Sequence, residues 1–565
     1  MKVSDYIATT LEENGVTVVF EMIGGMITHI IDSLHQKTNI KIVSLHHEQS
    51  AGFAAEAVGR LSGVPGVALA TSGPGATNLV TAIASCFFDS TPTIFITGQV
   101  NLSELSRDLP IRQQGFQETD IVSIAKPITK WATLVENAND IPLVLEKALR
   151  LATEGRPGPI LIDIPMDVQR VNIKSEIKDS HLPALEIIEK GKFHHKLASS
   201  LARSEKPLLL LGGGIRTSGS IEVCRELIDV LGIPVVYSLL GVDILPHYHP
   251  LRVGLIGTYG NRWANMALMQ SDLLLVLGSR LDVRQTGADA DSVSDDRIIF
   301  HVDCDQGQLN NRVKADHTLV SQLKPAIKSI TSTTPDKIHR PQWIIEIDKL
   351  ARKYDDKLEL EGCLGINPNQ FIHSLSKASK LAKTFLADVG KHQMWTAQSI
   401  ELFQDQRLLL SGGLGAMGFA LPASIGGAFA TGKPVVCIVG DGGFQCNIQE
   451  LEAISHHQLP IKIVILNNNS LGMVGQFQED YFESRMQSTV WGYSAPNFED
   501  VGLAYKITSK VICSTEEIDS ALAWLWENPQ KPCILDVRID LNTKVYPKAA
   551  YGRKINDMDP PLKDS

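Results

Sequence analysis

Short apolar runs alternate along this chain with longer amphipathic or alanine-rich stretches, and most of the runs end in glycine or polar residues. Pro434 to Val439 is such a run, rich in Val and Ile, and predicts a buried parallel strand. Gly440-Asp441-Gly442-Gly443 follows as a turn. Asn447 to His457 then predicts a helix with Ile448, Leu451 and Ile454 on one face. Ile461 to Leu466 predicts a second buried strand, which ends in Asn467-Asn468-Asn469. Near the N-terminus, strands are expected at Val18 to Phe20, Ile40 to Leu45, Val67 to Thr71 and Thr93 to Thr97. A helix is expected at Ala51 to Leu61, and the strand Ile160 to Ile164 closes the region. The middle of the chain repeats the pattern: Pro207 to Leu211 runs into Gly212-Gly213-Gly214, and further strands are expected at Ile233 to Ser238, Leu273 to Leu277 and Arg297 to Asp303. Alternating strands and helices imply parallel sheets covered on both faces.

The fold class is therefore α/β, with three doubly wound parallel-sheet domains at 1–170, 191–335 and 366–545. Charged, weakly patterned stretches at 171–190 and 336–365 are expected as linkers, and 546–565 as a C-terminal tail. A length of 565 residues agrees, since one hydrophobic core does not extend over so long a chain. No internal repeat is visible.

Composition narrows the function classes. The formal net charge of −10 argues against nucleic acid or an anionic membrane surface as partner. The 8 cysteines include no Cys-x-x-Cys pair and mostly sit in apolar runs, as small core residues of a reducing compartment do. The first helix is amphipathic and acidic rather than a targeting signal, and no apolar run approaches bilayer length. A cytoplasmic location is expected.

Asp441 supplies a carboxylate and Asn468, 27 positions later, an amide oxygen, each just past the end of a strand, where open α/β sheets place ligands. Oxygen-only ligands suit Mg²⁺, which keeps water and phosphate as its remaining ligands. The bland alternative is a solvated turn with Asn caps. Glu48 likewise has a bland reading, as an acid at the positive end of a helix. The glycines at 212–214 are weak evidence for a nucleotide on their own.

These residues resemble the thiamine diphosphate (ThDP) enzymes, whose motif is Gly-Asp-Gly, about two dozen residues, then Asn-Asn; here 24 residues separate Gly442 from Asn467. The resemblance implies that Asp441, Asn468 and the Ser470 carbonyl hold Mg²⁺. It also implies that Gly440, Gly442, Gly443 and Met473 line the cofactor. The segment 46–60, HHEQSAGFAAEAVGR, makes Glu48 the glutamate that contacts the pyrimidine ring and promotes loss of the thiazolium proton. Gly25, Ser72, Asn78, Gln99 and the Arg112–Glu118 segment, with Phe116 and Gln117, fall at positions near the cofactor or the reaction site. Asp388 to Trp395 and Ser411 to Phe419 are very similar to acetohydroxyacid (acetolactate) synthases. Those segments imply cofactor contacts from His392, Gln393 and Gly415, and an apolar wedge, Met417, that bends ThDP. The same resemblance implies FAD in the middle domain, contacted by Gly212, Gly213, Gly214, Gly278, Arg280, Arg284 and Asp303.

The implied reaction decarboxylates pyruvate and joins its two-carbon unit to an acceptor. Four departures fall where that acceptor enters: Met166, Leu281-Asp282-Val283-Arg284, Phe477, and Gly257-Thr258-Tyr259-Gly260. They shift the expectation toward the FAD-containing carboligases of branched-chain (yersiniose-type) sugar pathways, whose acceptor is a nucleotide-linked keto-sugar. Acetolactate synthase with a 2-oxo acid acceptor is the close alternative, since Arg284 suits a carboxylate. A flavin-linked pyruvate oxidase ranks below both. The resemblance also implies a homodimer or homotetramer, and leaves a regulatory small subunit open without indicating one.

Overall fold

A computed structural model describes residues 1–107, 109–174, 190–334 and 338–562. It contains three parallel six-stranded sheets, flanked by helices. The first comprises β1 (Val18–Met22), β2 (Lys41–Ser44), β3 (Gly66–Ala70), β4 (Thr93–Gln99), β5 (Trp131–Leu134) and β6 (Pro159–Pro165), in the order β2-β1-β3-β4-β6-β5. The second comprises β7 (Pro207–Leu211), β8 (Val235–Tyr237), β9 (Arg252–Leu255), β10 (Leu273–Leu277), β11 (Ile298–Asp303) and β12 (His317–Val320), in the order β12-β11-β10-β7-β8-β9. The third comprises β13 (Thr384–Ala387), β14 (Arg407–Leu410), β15 (Val435–Gly440), β16 (Ile461–Asn467), β17 (Thr508–Ile512) and β18 (Cys533–Arg538). Its order, β14-β13-β15-β16-β18-β17, is that of the first sheet. The likeness of the first and third domains, which the sequence hides, is therefore plain in the topology.

Every residue of β4, β6, β15 and β16 is buried, which is why these strands are continuous apolar runs rather than alternating ones. The register pairs Gly440 with Leu466, so the loops after β15 and β16 emerge side by side.

The first and third domains are joined by two helices of small residues, Glu48–Ser62 and Ala420–Thr431. Their backbones touch: a Cβ on Gly426 would lie 2.0 Å from the Ala54 carbonyl oxygen. Phe53 and Phe419 pack edge to face beside them, with ring centroids 5.4 Å apart. Arg60 fastens the same junction, donating to the Leu410 carbonyl at 2.7 Å and pairing with Asp89 at 2.7 Å. Asp89 in turn accepts from the amides of Gly412 and Gly413.

Two expectations need correction, and the tail, left open by the sequence, is placed. Residues 336–365 are not a plain linker: they contain helices Pro341–Lys353 and Asp356–Glu359, and Trp343 and Ile347, four apart, bury one face against Ala267. So narrow an apolar stripe among charges gave little signal. The helix expected over 447–457 is broken. A helix starts directly at Asp441 and runs to Cys446, and Leu451–His456 forms a second one. The break falls at Asn447, whose amide donates to Gly418 O and whose oxygen accepts from Ser50. The tail is attached along its described part: Lys548–Ala549 pairs with Met558–Asp559, and Ile555 is buried on the central domain. Ala549 N donates to Thr258 O at 2.7 Å, so the tail covers the Gly257–Gly260 turn. Of the other expected linker, 171–174 lies along the first domain, with Asn172 bridged to Lys2, and 190 opens a helix; 175–189 fall outside the described residues.

Candidate active site

Three oxygens converge at the ends of β15 and β16. One terminal atom of the Asn468 amide lies 3.0 Å from the Ser470 carbonyl oxygen and 3.1 Å from Asp441 Oδ1. As an oxygen it stands beside two further acceptors, with the backbone amides of Asn468 and Ser470 also donating toward the Asp441 carboxylate; turned over, it would donate to both oxygens. An octahedral Mg²⁺ with ligands at about 2.0–2.1 Å holds neighbouring oxygens about 2.9 Å apart. Both distances fit that ion, although among the described residues no group of three or more His, Cys, Asp or Glu is placed to hold a metal. Burial pushes the Asp441 carboxyl above its ordinary range, and a hydrogen bond from Tyr493 works against that rise. The Tyr493 hydroxyl stands 2.6 Å from Asp441 Oδ2.

Around this trio stand several of the expected residues. The His392 ring lies under Gly440, where an added Cβ would come within 2.8 Å of it. Its Nε2 is buried without a partner, and burial lowers its pKa to about 3, so the ring is neutral. Gln393 is held by a bond to Ser411 O at 3.2 Å. Gly443 approaches Asp388, which accepts from the amides of Gly418 and Ala420 and so fixes the turn that carries Met417. Met417 is 38% exposed and points toward Gly442, its Cε 3.6 Å from where a Cβ would stand. Gly415, at φ +70°, supplies the left-handed step before it. Met473 is half-buried at the start of the Gly472–Tyr481 helix.

A second set gathers at the ends of β1 to β4 in the first domain. Glu48 opens its helix and is buried, with Oε2 accepting from Asn78 Nδ2 at 2.9 Å. Gly75 faces the other carboxylate oxygen, 3.3 Å from an ideal Cβ. Ser72 Oγ is buried and unpartnered. Gln99 donates to Asp163 Oδ2 at 2.9 Å and to Thr119 O at 2.8 Å. Asp163, not anticipated from the sequence, is raised to about 7 by burial. Gly25 is open to solvent, Phe116 is 79% exposed, and Gln117, at φ +65°, packs against Gly73. Glu48 bonds within its own domain. Its neighbours His46 and Ser50 reach Glu450 and Asn447 of the third domain rather than Asp441.

A cavity of about 680 Å³ lies between the three domains, within the usual range of ligand sites. Gly213, Gly214, Gly278, Arg280, Arg284 and Asp303 line it from the central domain. Arg60 and Arg156 line it from the first, and Met394 and Gly412 from the third. Gly212 serves packing: a Cβ there would come 2.0 Å from Gly278 O. The Arg284 guanidinium reaches Gly412 O at 3.3 Å from the cavity wall.

Strand ends in two like domains thus carry the groups singled out above, Asp441, Asn468 and Ser470 in one and Glu48 in the other. The chain belongs to the thiamine pyrophosphate enzyme family. It matches that family's N-terminal TPP binding domain over residues 1–124, its central domain over 194–330 and its C-terminal TPP binding domain over 388–537. It is 36% identical over 560 residues to the acetolactate synthase large subunit of Lactococcus lactis subsp. lactis, covering 98% of this chain and 95% of that protein. It is 35% identical to the acetolactate synthase isozyme 1 large subunit of Escherichia coli, covering 98% and 97%. It is also 35% identical to a probable acetolactate synthase large subunit of Methanocaldococcus jannaschii, covering 100% and 96%. Among the described residues, no helix is long and apolar enough to cross a membrane.

Proposed function

We propose that this chain is a ThDP- and Mg²⁺-dependent carboligase that decarboxylates pyruvate and joins the remaining two-carbon unit to a 2-oxo acid. With pyruvate as acceptor, two pyruvates give acetolactate and CO₂. The observation that carries the proposal is the meeting of the Asn468 amide with the Ser470 carbonyl oxygen, at 3.0 Å, and with Asp441 Oδ1, at 3.1 Å, at adjacent strand ends. ThDP, when bound, supplies the carbanion chemistry. Around it, Glu48 holds the proton exchanged with the pyrimidine ring, and Asn78 fixes that carboxylate. Met417 supplies an apolar wedge. Gly440, Gly442 and Gly443 leave the backbone open toward a diphosphate, and the unpartnered Ser72 Oγ and His392 Nε2 are free to meet a ligand.

FAD fits the inter-domain cavity. Its volume suits a dinucleotide, its arginines suit a diphosphate, and Gly213 and Gly278 bring backbone close to a ligand. Arg284, exposed between that cavity and Gly412, suits the acceptor carboxylate. The relatives named above favour the 2-oxo acid over the keto-sugar. One feature supports the keto-sugar as a second reading: Phe477 is 53% exposed and continues into Tyr481 and Tyr551 as an open aromatic face. Because those relatives are large subunits, a regulatory small subunit is a reasonable partner for this chain.

Purified protein loaded with ThDP, Mg²⁺ and FAD would be given pyruvate alone, pyruvate with 2-oxobutyrate, and pyruvate with a nucleotide-linked keto-sugar. Acetolactate and its homologue, read by mass spectrometry, are the expected products, with the flavin remaining oxidised. Product from the keto-sugar alone would replace the first reading with the second. Oxygen consumption matched to pyruvate loss, without a new carbon–carbon bond, would overturn both.

A further inference from the structure

Asp441 has two oxygens, and the structure gives them different surroundings. Oδ1 lies 3.1 Å from the Asn468 amide, which is itself 3.0 Å from the Ser470 carbonyl oxygen. Oδ2 accepts a hydrogen bond from the Tyr493 hydroxyl at 2.6 Å. Tyr493 is brought there from 52 positions downstream. The preceding Gly492, at φ +77°, makes the left-handed turn, and Tyr493 N closes it on Val490 O at 3.3 Å. The phenol stands 3.3 Å from the position of a Cβ on Gly442, so the bare backbone at 442 admits it. Gln445 braces the arrangement, with its amide 3.1 Å from Asp441 O and 3.4 Å from the Tyr493 oxygen.

We infer that Tyr493 is a positioning residue that sets the metal preference of the site, by engaging Asp441 Oδ2 so that the carboxylate can meet a cation through Oδ1 alone. This rests on the proposed Mg²⁺ site. The chemistry follows from the two alkaline-earth ions. Mg²⁺ takes single oxygens at about 2.0–2.1 Å in a strict octahedron, whereas Ca²⁺, at about 2.3–2.6 Å, readily takes both oxygens of one carboxylate. A donor on Oδ2 opposes the two-oxygen mode, and so opposes Ca²⁺ more than Mg²⁺. The same bond fixes the carboxylate rotamer, and partners of this kind are typically worth about 10–100-fold in metal affinity.

The test is Tyr493→Phe, which removes only the hydroxyl. Binding of Mg²⁺ and of Ca²⁺ to the full-length protein with ThDP would be measured by titration calorimetry, alongside the metal dependence of turnover. The expected result is Mg²⁺ affinity weakened about 10-fold or more, with Ca²⁺ affinity weakened less, so that the ratio between the ions narrows. The Mg²⁺ concentration needed for half-maximal turnover should rise in parallel. An unchanged ratio would overturn the inference, including the case in which both affinities fall equally alongside a lower melting temperature of the metal-free protein, since a merely structural role predicts that outcome. Failure of the wild-type protein to bind either ion with ThDP would instead overturn the underlying site, and the role of Tyr493 with it.

Discussion

Replacing Glu48 by glutamine leaves an oxygen able to accept from Asn78 Nδ2 but removes the charge and the proton-holding carboxylate. The Glu48→Gln protein should therefore fold, bind ThDP and Mg²⁺ normally, and lose about 10²–10⁴-fold in turnover, the usual contribution of a general acid–base group. Turnover within threefold of the parent, with unchanged cofactor affinity, would remove Glu48 from the proton path. Residues of this kind were legible from sequence because local motifs carry them: Asp441 and Asn468 each follow a buried apolar run. Tyr493 carried no such signal. It reaches Asp441 across 52 positions from a segment without periodicity, and only the fold relates the two. The roles of Asp163 and of Asp388, although the latter opens a segment that carried the resemblance, were hidden for another reason. Each is a buried acid explained by partners on other elements: Thr97 and Gln99 for Asp163, and the amides of Gly418 and Ala420 for Asp388.

Among the elements, strands buried on both faces were the most legible, since Pro207 to Leu211 and Leu273 to Leu277 have the expected bounds. Strands with partly exposed residues, such as β5, β9 and β12, gave no clear run. The helix Asp356–Glu359 was obscured by its charge, and that charge has a structural use. Asp356 is buried and bonds His373 Nε2 at 3.0 Å, while Glu401 bonds His373 Nδ1 at 2.7 Å. Burial alone would lower the His373 pKa, but the bonds to Asp356 and Glu401 outweigh it and raise it to about 9. Lys357 opposes the rise. On the far side of Glu401 stand Lys377, at 3.6 Å, and His247, at 3.9 Å. A raised histidine stabilises the fold fully below its unfolded value, near 6.5, and loses that contribution as pH climbs through about 9. The two carboxyls are lowered by the same contacts, so the contribution also fades in acid as they protonate. His373→Ala should thus cost stability most at pH 5–6.5, on the order of 3 kcal/mol, and progressively less toward pH 9 and above. Chemical denaturation at several pH values would show it; a cost that is flat from pH 6 to pH 10 would mean that His373 contributes by packing alone.

For the whole molecule, the shared strand order of the first and third domains bears on how a site forms. Each domain presents polar groups at matching strand ends: Gln99, the last residue of β4, is tied to Asp163 of β6, and Asn467, the last of β16, is tied to Asp536 of β18. Yet the contents differ, since Glu48 opens a helix of the first domain and Asp441, Asn468 and Ser470 lie in the third. In the proposed reading one ThDP meets both sets. Within the chain, the residues flanking Glu48 reach Asn447 and Glu450 instead, and exposed apolar groups surround each set: Ile23 and Phe116 on one side, Met417, Phe477 and Trp491 on the other. These features suit a twofold dimer in which the first domain of each subunit faces the third domain of its partner. Glu48→Gln and Asp441→Ala should each be inactive alone, and mixing them after mild dissociation should restore activity. In a mixed dimer one site joins both altered domains and the other joins both intact ones. Random exchange in equal amounts should therefore return about a quarter of wild-type activity. Demonstrated exchange of subunits without any recovery would mean that each chain completes its own site.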